Sequence, residues 1–316
     1  TMAQVTNTFS TYDAVGERED LSDIIYSIAP TDTPFMSGIA KEQAAAIFHE
    51  WQTDSLASAS SSNAHIEGDE ISFAAPTATT RLGNRTQISR KAVIVSGTLD
   101  VVSKAGRNNE LAYQISKISK ELKRDMETIL TANQAPVTGD DSNARKLAGL
   151  ESWLKTNTDK GGGSGADPTT SGTNARTDGT QRAFTEAQLK SVIKKCWDEG
   201  GDPNMVMLGS FNKQKLSGFT GGSTRFDPAE NKRLVASVDV YESDFGALQV
   251  VPNRFSRARS AYVLQPDLFS VAFLRDFQLM DLAKTGDATK QALIAEYTLV
   301  SKNEKASGGI FDLTTA

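Results

Sequence analysis

The chain has 316 residues, one cysteine and a formal net charge of −5, and 38% of its residues are hydrophobic. These values exclude a small disulfide-stapled scaffold and an intrinsically disordered chain, and they predict a folded protein with a sizeable core. The acidic balance argues against a dedicated nucleic-acid-binding protein. Neither a signal-peptide pattern nor a run of about 18 apolar residues is present, so we expect a soluble protein without a membrane partner.

Charge is distributed unevenly along the chain. Residues 1–80 hold 2 basic and 12 acidic side chains, whereas residues 81–132 hold 10 basic and 5 acidic ones. Such blocks are often only solvated surfaces. The alternative is that acidic residues of one copy contact basic residues of the next copy, which would set register and partner choice. The acidic candidates are Glu17, Glu19, Asp20 and Asp23, and the basic candidates are Lys117, Lys120, Lys123 and Arg124.

The N-terminal third is predicted to be an arm followed by extended structure. A short helix is predicted before Pro30 from the spacing of Leu21, Ile24, Ile25 and Ile28. Alternation around residues 47–53 and the run KAVIVSG predict two extended segments, and the Ser-rich stretch between them is typical of a hairpin tip. Ile47, Phe48 and Trp51 have no local periodic pattern to pack against, so we expect them to contact a neighbouring subunit.

A long amphipathic helix is predicted from about residue 108 to residue 130. Its apolar positions repeat at intervals of four and three: Leu111, Ile115, Ile118, Leu122, Met126 and Ile129. The opposite face is charged and predicts i,i+4 ion pairs, among them Lys123 with Glu127. At 1.5 Å per residue the helix would be roughly 35 Å long, which is typical of a structural strut.

The second half of the chain is predicted to mix helices and strands. A short element at ARKLAGLESWL precedes a Gly-rich stretch, residues 158–182, which is typical of an exposed, mobile linker. A second amphipathic helix is predicted from its N-cap Thr185 to Gly200. Strands are predicted at PNMVMLGS, LVASVDVYES, ALQVVPNRF, SAYVLQ, FSVAFLR and ALIAEYTLVSKNE.

Few residues are suited to catalysis or metal binding. His49 and His65 are the only histidines, and with Glu50 and Glu67 they form the one candidate metal site, which is the basis of an alternative function as a metal-dependent enzyme. A histidine packed on a strand beside Trp51, and another in a loop tip, are the simpler interpretation. The chain lacks a nucleophile elbow, a P-loop and a dinucleotide fingerprint. We therefore expect no cofactor and no enzymatic activity.

Three arginines cluster in the stretch VPNRFSRARSAYV. Arg254, Arg257 and Arg259 alternate with Phe255 and are suited to contacting phosphate or carboxylate groups. The alternative is a solvated or subunit-facing rim. A long strut helix, an α/β lobe, a long hairpin and an arm without a catalytic constellation are typical of an assembly component.

Several segments resemble the major capsid proteins of tailed double-stranded DNA bacteriophages. They are GEREDLSDIIYSIAPTDTPF in the arm, HEWQTDSLA, AGRNNELAYQ with KELKRDME, VYESDFGALQVVPNRF, and KTGDATKQALIAEYTLVSKNE near the end. The resemblance rests on their number and order, since none is a chemically specific motif. It implies the α+β Hong Kong 97-like fold, with an N-terminal arm, an extended β-hairpin loop, a peripheral domain with a long spine helix, and a mixed α/β axial domain.

The resemblance also implies a domain division and a set of partners. The expected domains are the arm (1–45), the extended loop (46–97), the peripheral domain (98–182 and 284–316) and the axial domain (183–283). Copies of the chain would form pentamers and hexamers of an icosahedral shell around double-stranded DNA. Scaffolding, portal and decoration proteins are the expected partners, with assembly in the host bacterial cytoplasm. The alternative is a nanocompartment shell of the same fold that encloses protein cargo.

Overall fold

The computed structural model describes residues 32–71, 73, 75–102, 109–219 and 239–316. The predicted arm helix and the acidic candidates Glu17, Glu19, Asp20 and Asp23 lie outside these ranges. The described helices are α1 (Pro34–Gly38), α2 (Gly97–Val101), α3 (Glu110–Leu130), α4 (Leu150–Trp153), α5 (Glu186–Asp198) and α6 (Ser210–Ser217). Two 3-10 turns follow, at Pro266–Leu268 and Glu304–Ala306.

The strands form three sheets. They are β1 (Ala40–Gln43), β2 (Phe48–Thr53), β3 (Thr80–Arg85), β4 (Gln87–Ser96), β5 (Asn157–Asp159), β6 (Met205–Leu208), β7 (Val240–Ser243), β8 (Gly246–Pro252), β9 (Ala261–Leu264), β10 (Phe269–Asp281), β11 (Ala288–Ser301) and β12 (Gly308–Ile310). The sheet orders are β1-β10-β11-β4, β5-β12-β9-β6-β8-β7 and β2-β3. The strands predicted in the second half of the chain are confirmed where they are described, although β10 is almost twice the predicted length.

The long helix is confirmed, but one of its charged residues faces the core. α3 begins after Asn109, whose side chain accepts a hydrogen bond from the Ala112 N–H at 2.8 Å. Its buried side includes Ile118, Leu122 and Met126, as the spacing predicts. Glu127 is fully buried as well. The predicted Lys123–Glu127 ion pair is therefore wrong, because the carboxylate lies inside the protein while Lys123 is exposed.

Two hydrophobic cores flank the six-stranded sheet. The first lies between α3, the four-stranded sheet and one face of the six-stranded sheet, and it includes Trp153, Tyr262, Phe269, Tyr297 and Phe311. The second lies on the other face, beneath α5 and α6. Both larger sheets take strands from more than one predicted domain: β10 pairs with β11, and β5 and β12 belong to the six-stranded sheet with β9. The domain division itself stays a prediction.

The Gly-rich stretch has many exposed residues, as predicted, but several are buried and its backbone is paired, so the prediction of a mobile linker is wrong. β5 pairs with β12, and the backbones of Ala166 and Thr177 form a bridge across the stretch. The side chain of Asp312 accepts hydrogen bonds from the N–H groups of Gly161 at 3.1 Å and Gly179 at 2.8 Å. Polar contacts with remote residues, which a local composition does not reveal, hold these residues against the protein.

A buried arginine fastens the same stretch. Arg176 is only 4% exposed, its guanidinium lies 3.3 Å from the centroid of the Phe311 ring, and it donates to Asp167 at 2.6 Å. Gly172 has a φ of +73° and lies against the indole of Trp153. Residues 157–182 are hereafter called the glycine segment.

Candidate assembly interfaces

The loop between β2 and β3 has several exposed large apolar side chains. Residues 54–79 are the distal part of the expected 46–97 loop, and the name extended loop is used for them alone from here on. Their described residues contain no helix or strand and are all exposed. Four large apolar side chains are among them: Leu56 (98% exposed), Ile66 (82%), Ile71 (76%) and Phe73 (93%). Exposed apolar groups in such number mark an interaction site in a folded protein.

At the base of this loop, the residues predicted to contact a neighbouring subunit fall into two groups, one turned inward and one exposed. β2 alternates as predicted, with His49, Trp51 and Thr53 turned inward. Ile47 and Phe48 are 50% and 40% exposed and remain available to a neighbouring subunit. Phe48 also lies beneath the guanidinium of Arg85, 5.1 Å from the ring centroid.

Trp51 has a partner in its own chain, contrary to the expectation that it lacks a local core. Its ring lies 5.3 Å from the ring of Trp153, and its indole N–H donates to the Ser301 carbonyl at 2.9 Å. The partners are distant in sequence, which is why local periodicity did not reveal them. Trp51 therefore anchors the base of the hairpin to the first core.

The basic candidates on α3 form an exposed row with one exception. Lys117, Lys120 and Lys123 are exposed, and Lys123 lies 6.0 Å from the centroid of the Phe277 ring. Arg124 is half-buried, with its guanidinium 5.5 Å from the centroid of the Phe255 ring. Their predicted partners Glu17, Glu19, Asp20 and Asp23 lie outside the described residues.

A groove opens at one end of this row. Its volume is about 890 Å³, and it lies between α1, β1, α3 and β10. Lys123 belongs to the wall, and the apolar part of the wall comes from Met36, Phe273, Leu274 and Phe277. Lys41, Glu42 and Asp276 complete its charged lining.

The arginine cluster is mostly internal. Arg254 is exposed, which agrees with a rim position. Arg257 donates to Glu151 at 2.5 Å and to Asp178 at 2.6 Å, and Arg259 donates to Asp178 at 3.1 Å and to Asp312 at 2.7 Å. Arg257 thus meets carboxylates of its own chain, and it ties the glycine segment to the six-stranded sheet.

Buried carboxylates are the features that sequence reasoning missed. Glu127 accepts hydrogen bonds from the backbone N–H groups of Phe35 and Met36, both at 2.8 Å, and from the Asn253 amide at 2.7 Å. Burial raises the pKa of the Glu127 carboxyl, and the three donors act in the opposite direction. The residue joins α1, α3 and the end of β8. By spacing it belongs to the charged face of α3, so no local signal marks it.

Glu151 is the second such carboxylate. It is fully buried and accepts hydrogen bonds from Ser260 at 2.6 Å and from the Tyr262 hydroxyl at 2.8 Å, besides the one from Arg257. Burial, aided by the Glu151 charge, raises the pKa of Tyr262 well above its ordinary value, which keeps the phenol protonated as a donor. The charge of Glu151 is paired with that of Arg257, which offsets the cost of its burial.

The two histidines do not come together. His49 faces Glu42 at 3.5 Å, and His65 faces Asp69 at 3.7 Å in the loop. Within the described ranges, no group of three or more His, Cys, Asp or Glu side chains is placed to hold a metal ion. Among the same residues, no helix is long and apolar enough to span a membrane.

The whole chain matches one protein family. The sequence profile of the SU10 major capsid protein family matches residues 4–314. The chain belongs to this family. It is 29% identical over 338 residues to the major capsid protein of Escherichia phage Phieco32, with 96% of both sequences covered. Family membership makes the chain a structural protein, the major capsid protein of a tailed-phage virion, which forms an icosahedral shell.

Solved capsid structures share the fold of this SU10-family chain. The capsid of cyanophage A-1(L) has a TM-score of 0.65 at 14% identity, covering 97% of this chain and 99% of that one. The capsid of a native GTA particle has a TM-score of 0.63 at 12% identity, covering 96% and 98%. The expected α+β, Hong Kong 97-like fold is thereby confirmed.

Proposed function

We propose that the SU10-family chain builds its shell from pentamers and hexamers, and that the extended loop is a principal contact between subunits. The observation that supports this is the loop itself, whose Leu56, Ile66, Ile71 and Phe73 are exposed in the single chain. Burying one such side chain contributes roughly 1.5 to 3 kcal/mol. Repeated around a shell, these contacts supply a large interface.

Electron microscopy and light scattering of the purified protein test this proposal. We expect closed shells from the unmodified chain, and free subunits or capsomers from the variant Ile66→Ser, Ile71→Ser, Phe73→Ser. The matched control is Ser60→Ala, Ser61→Ala, Ser62→Ala in the same loop, which should assemble normally. Both variants should keep the free energy of unfolding of the subunit within about 0.5 kcal/mol. Normal shells from the first variant would show that the loop does not form the interface.

We further propose that the shell encloses double-stranded DNA without sequence-specific contacts and that it catalyses no reaction. Assembly would take place in the host bacterial cytoplasm with scaffolding, portal and decoration proteins. Membership of a capsid family supports this, and it favours a phage head over a nanocompartment. Nuclease-protected DNA in particles isolated from infected cells is the expected result. Particles that hold protein cargo and no DNA would favour the nanocompartment.

A further inference from the structure

Residues 308–314, hereafter the strap, run through the six-stranded sheet. Their first three residues form β12, which lies between β5 and β9 and is parallel to β5 and antiparallel to β9. β5 is the outermost strand, and within the described residues β12 is its one strand partner. The glycine segment, which begins with β5, therefore joins the sheet through the strap.

The strap also binds both ends of the glycine segment. At the first end, the Phe311 N–H donates to the Asp159 carbonyl at 2.8 Å. At the last end, the Arg182 N–H donates to the Asp312 carbonyl at 2.7 Å. Since the Asp312 side chain accepts an N–H group from each end as well, the strap holds the two ends side by side.

Three apolar side chains of the strap are fully buried, and they belong to both cores. Ile310 and Leu313 pack in the second core, and Phe311 packs in the first. A subunit whose strap is not seated would expose these three side chains together with the pockets that they fill. Such a subunit differs from the closed one in its apolar surface and in two strands of the sheet.

The middle of the glycine segment is held separately. The Gly172 N–H donates to the Ser152 carbonyl at 2.8 Å, and the Asn133 side chain forms two hydrogen bonds with the backbone of Arg176, both at 2.8 Å. These partners precede the segment in the chain and do not involve the strap. The ends of the segment, residues 157–161 and 179–182, are thus the parts that depend on the strap.

The dependence is mutual, because the strap has an unfavourable backbone conformation. Asp312 has a φ of 61° and is the one non-glycine residue with a positive φ among the described residues. Such a conformation persists where the surroundings impose it. The carboxylate of Asp312 supplies that constraint by binding the ends of the glycine segment and Arg259. Strap and ends therefore order each other, which is the condition for a cooperative unit of local opening.

The order of synthesis separates the two parts of this unit in time. The strap follows the glycine segment by 126 positions, and at 5 to 20 residues per second the segment waits roughly 6 to 25 s for it. The hydrogen bond between Gly161 and Asp312 spans 151 positions. Contacts of such long sequence separation form late in folding, because the entropy of closing the loop must be offset first.

We propose that the strap seats last in folding, that it opens and closes together with the two ends of the glycine segment, and that only the closed subunit enters the shell. The third part rests on the proposed shell-forming function. The unit acts as a checkpoint between folding and assembly, since an open subunit presents a different surface to its neighbours. The four-stranded sheet and α3 stay folded while the unit is open.

Hydrogen exchange of the unmodified subunit, followed by mass spectrometry in mild denaturant, tests the cooperative unit. Peptides from the strap and from both ends of the glycine segment should share one opening equilibrium. Their open population should exceed that of peptides from α3 and β11 by about tenfold or more. Separate opening equilibria for the strap and the ends, or opening of all peptides together, would overturn the proposal.

Three matched substitutions test whether the two parts depend on each other. A Cβ at Gly308 would lie 2.3 Å from the Asn157 carbonyl oxygen, and one at Gly161 would lie 2.1 Å from the Thr180 carbonyl oxygen. Gly308→Ala and Gly161→Ala should each raise exchange in the strap and in both ends by about tenfold or more. The control Gly162→Ala, where a Cβ would meet no atom within 4 Å, should change neither. An effect confined to the substituted part would overturn the proposal.

Co-assembly tests the checkpoint. Gly308→Ala is mixed with an equal amount of the unmodified chain, and the shells are analysed by mass spectrometry. The share of Gly308→Ala should be at least about fivefold below that of Gly162→Ala in a parallel mixture, because only its closed fraction is competent. Equal shares would overturn the checkpoint. The unmodified chain must form shells in the same assay, so this failure is distinguishable from a failure of the shell-forming function.

Discussion

The extended loop and the glycine segment are both long, rich in small polar residues and predicted to be exposed. Every described residue of the extended loop is exposed, whereas the glycine segment is partly buried. The extended loop has four large apolar side chains and buries none of them. The glycine segment has no large apolar side chain, but it is fastened by Asp312, by the ring of Phe311 and by Trp153. The loop that has large apolar side chains is thus the exposed one, and the loop that lacks them is the one held against the protein.

The comparison teaches where the energy for ordering a loop comes from. In the glycine segment, buried ion pairs and backbone hydrogen bonds to remote groups offset the conformational entropy of about 1 to 2 kcal/mol per residue. In the extended loop the apolar groups are exposed among the described residues, and we propose that another molecule buries them. We therefore expect substitutions in the glycine segment to lower the stability of the subunit, and substitutions in the extended loop to impair assembly of the shell.

The largest effect on the subunit is expected from Asp312→Ala. The change removes the acceptor for two backbone N–H groups and leaves the half-buried Arg259 without this partner, which should cost about 3 to 5 kcal/mol of unfolding free energy. Urea denaturation measures it, with the exposed Asp141→Ala as control. A broad-specificity protease should cut the unmodified subunit first within 54–79, and the Asp312→Ala subunit within 157–182 as well. First cleavage of the unmodified subunit in the glycine segment would refute the contrast.

Gly172→Ala and Gly68→Ala compare the two loops at positions with the same backbone requirement. Both glycines have positive φ, +73° and +85°, but a Cβ at Gly172 would lie 2.5 Å from the Trp153 ring, whereas a Cβ at Gly68 would meet no atom within 4 Å. We expect losses of about 2 to 4 kcal/mol for Gly172→Ala and of about 1 kcal/mol or less for Gly68→Ala. Thermal unfolding of the two subunits checks this difference, and equal losses would contradict it.

Trp51→Ala and Phe73→Ala separate the base of the extended loop from its distal part. Trp51→Ala removes the contact with Trp153 and the hydrogen bond to Ser301, so it should lower the free energy of unfolding by about 2 kcal/mol. Phe73→Ala should change it by less than about 0.5 kcal/mol and should impair assembly instead. Parallel denaturation and light-scattering measurements on both variants check the separation. A stable Trp51→Ala subunit that fails to assemble would show that Trp51 contributes to the interface and not to the core.

The smallest expected effect is the loss, at acidic pH, of the stability that Asp178 contributes. Burial acts to raise the pKa of Asp178, but the hydrogen bond and charge of Arg257, with the charge of Arg259, outweigh it and the pKa is lowered. The stability that Asp178 contributes is therefore present above its ordinary pKa of 3.8 and is lost as the pH falls through the lowered value. The difference in unfolding free energy between the unmodified chain and Asp178→Asn should be constant near neutral pH and shrink toward pH 3. Phe73→Ala, which removes no charge, gives the pH-independent reference, and a difference that grows in acid would contradict the sign.

Local sequence was sufficient for most regular elements. The apolar repeat at four and three predicts α3, the Thr185 cap predicts the start of α5, and the alternation of His49, Trp51 and Thr53 predicts β2. Each of these signals depends on residues within a few positions of one another, so each can be recognised from the sequence alone. β1, β5 and β12 were missed, because their sequences AKEQ, NTD and GGI contain no apolar run, unlike the equally short β6 and β9.

The sequence by itself therefore determined the two longest helices, the longer strands, the exposed loop and, through the segments that resemble capsid proteins, the family. Only the tertiary structure decided which polar residues are buried and which loop is ordered. Glu127, Glu151 and Asp312 are acidic residues whose burial depends on donors far along the chain, and Trp51 depends on Ser301 in the same way. Such partnerships form between residues that folding brings together. Their physical cause, the cost of burying a charge or an N–H group without a partner, acts across space and leaves no mark in local sequence.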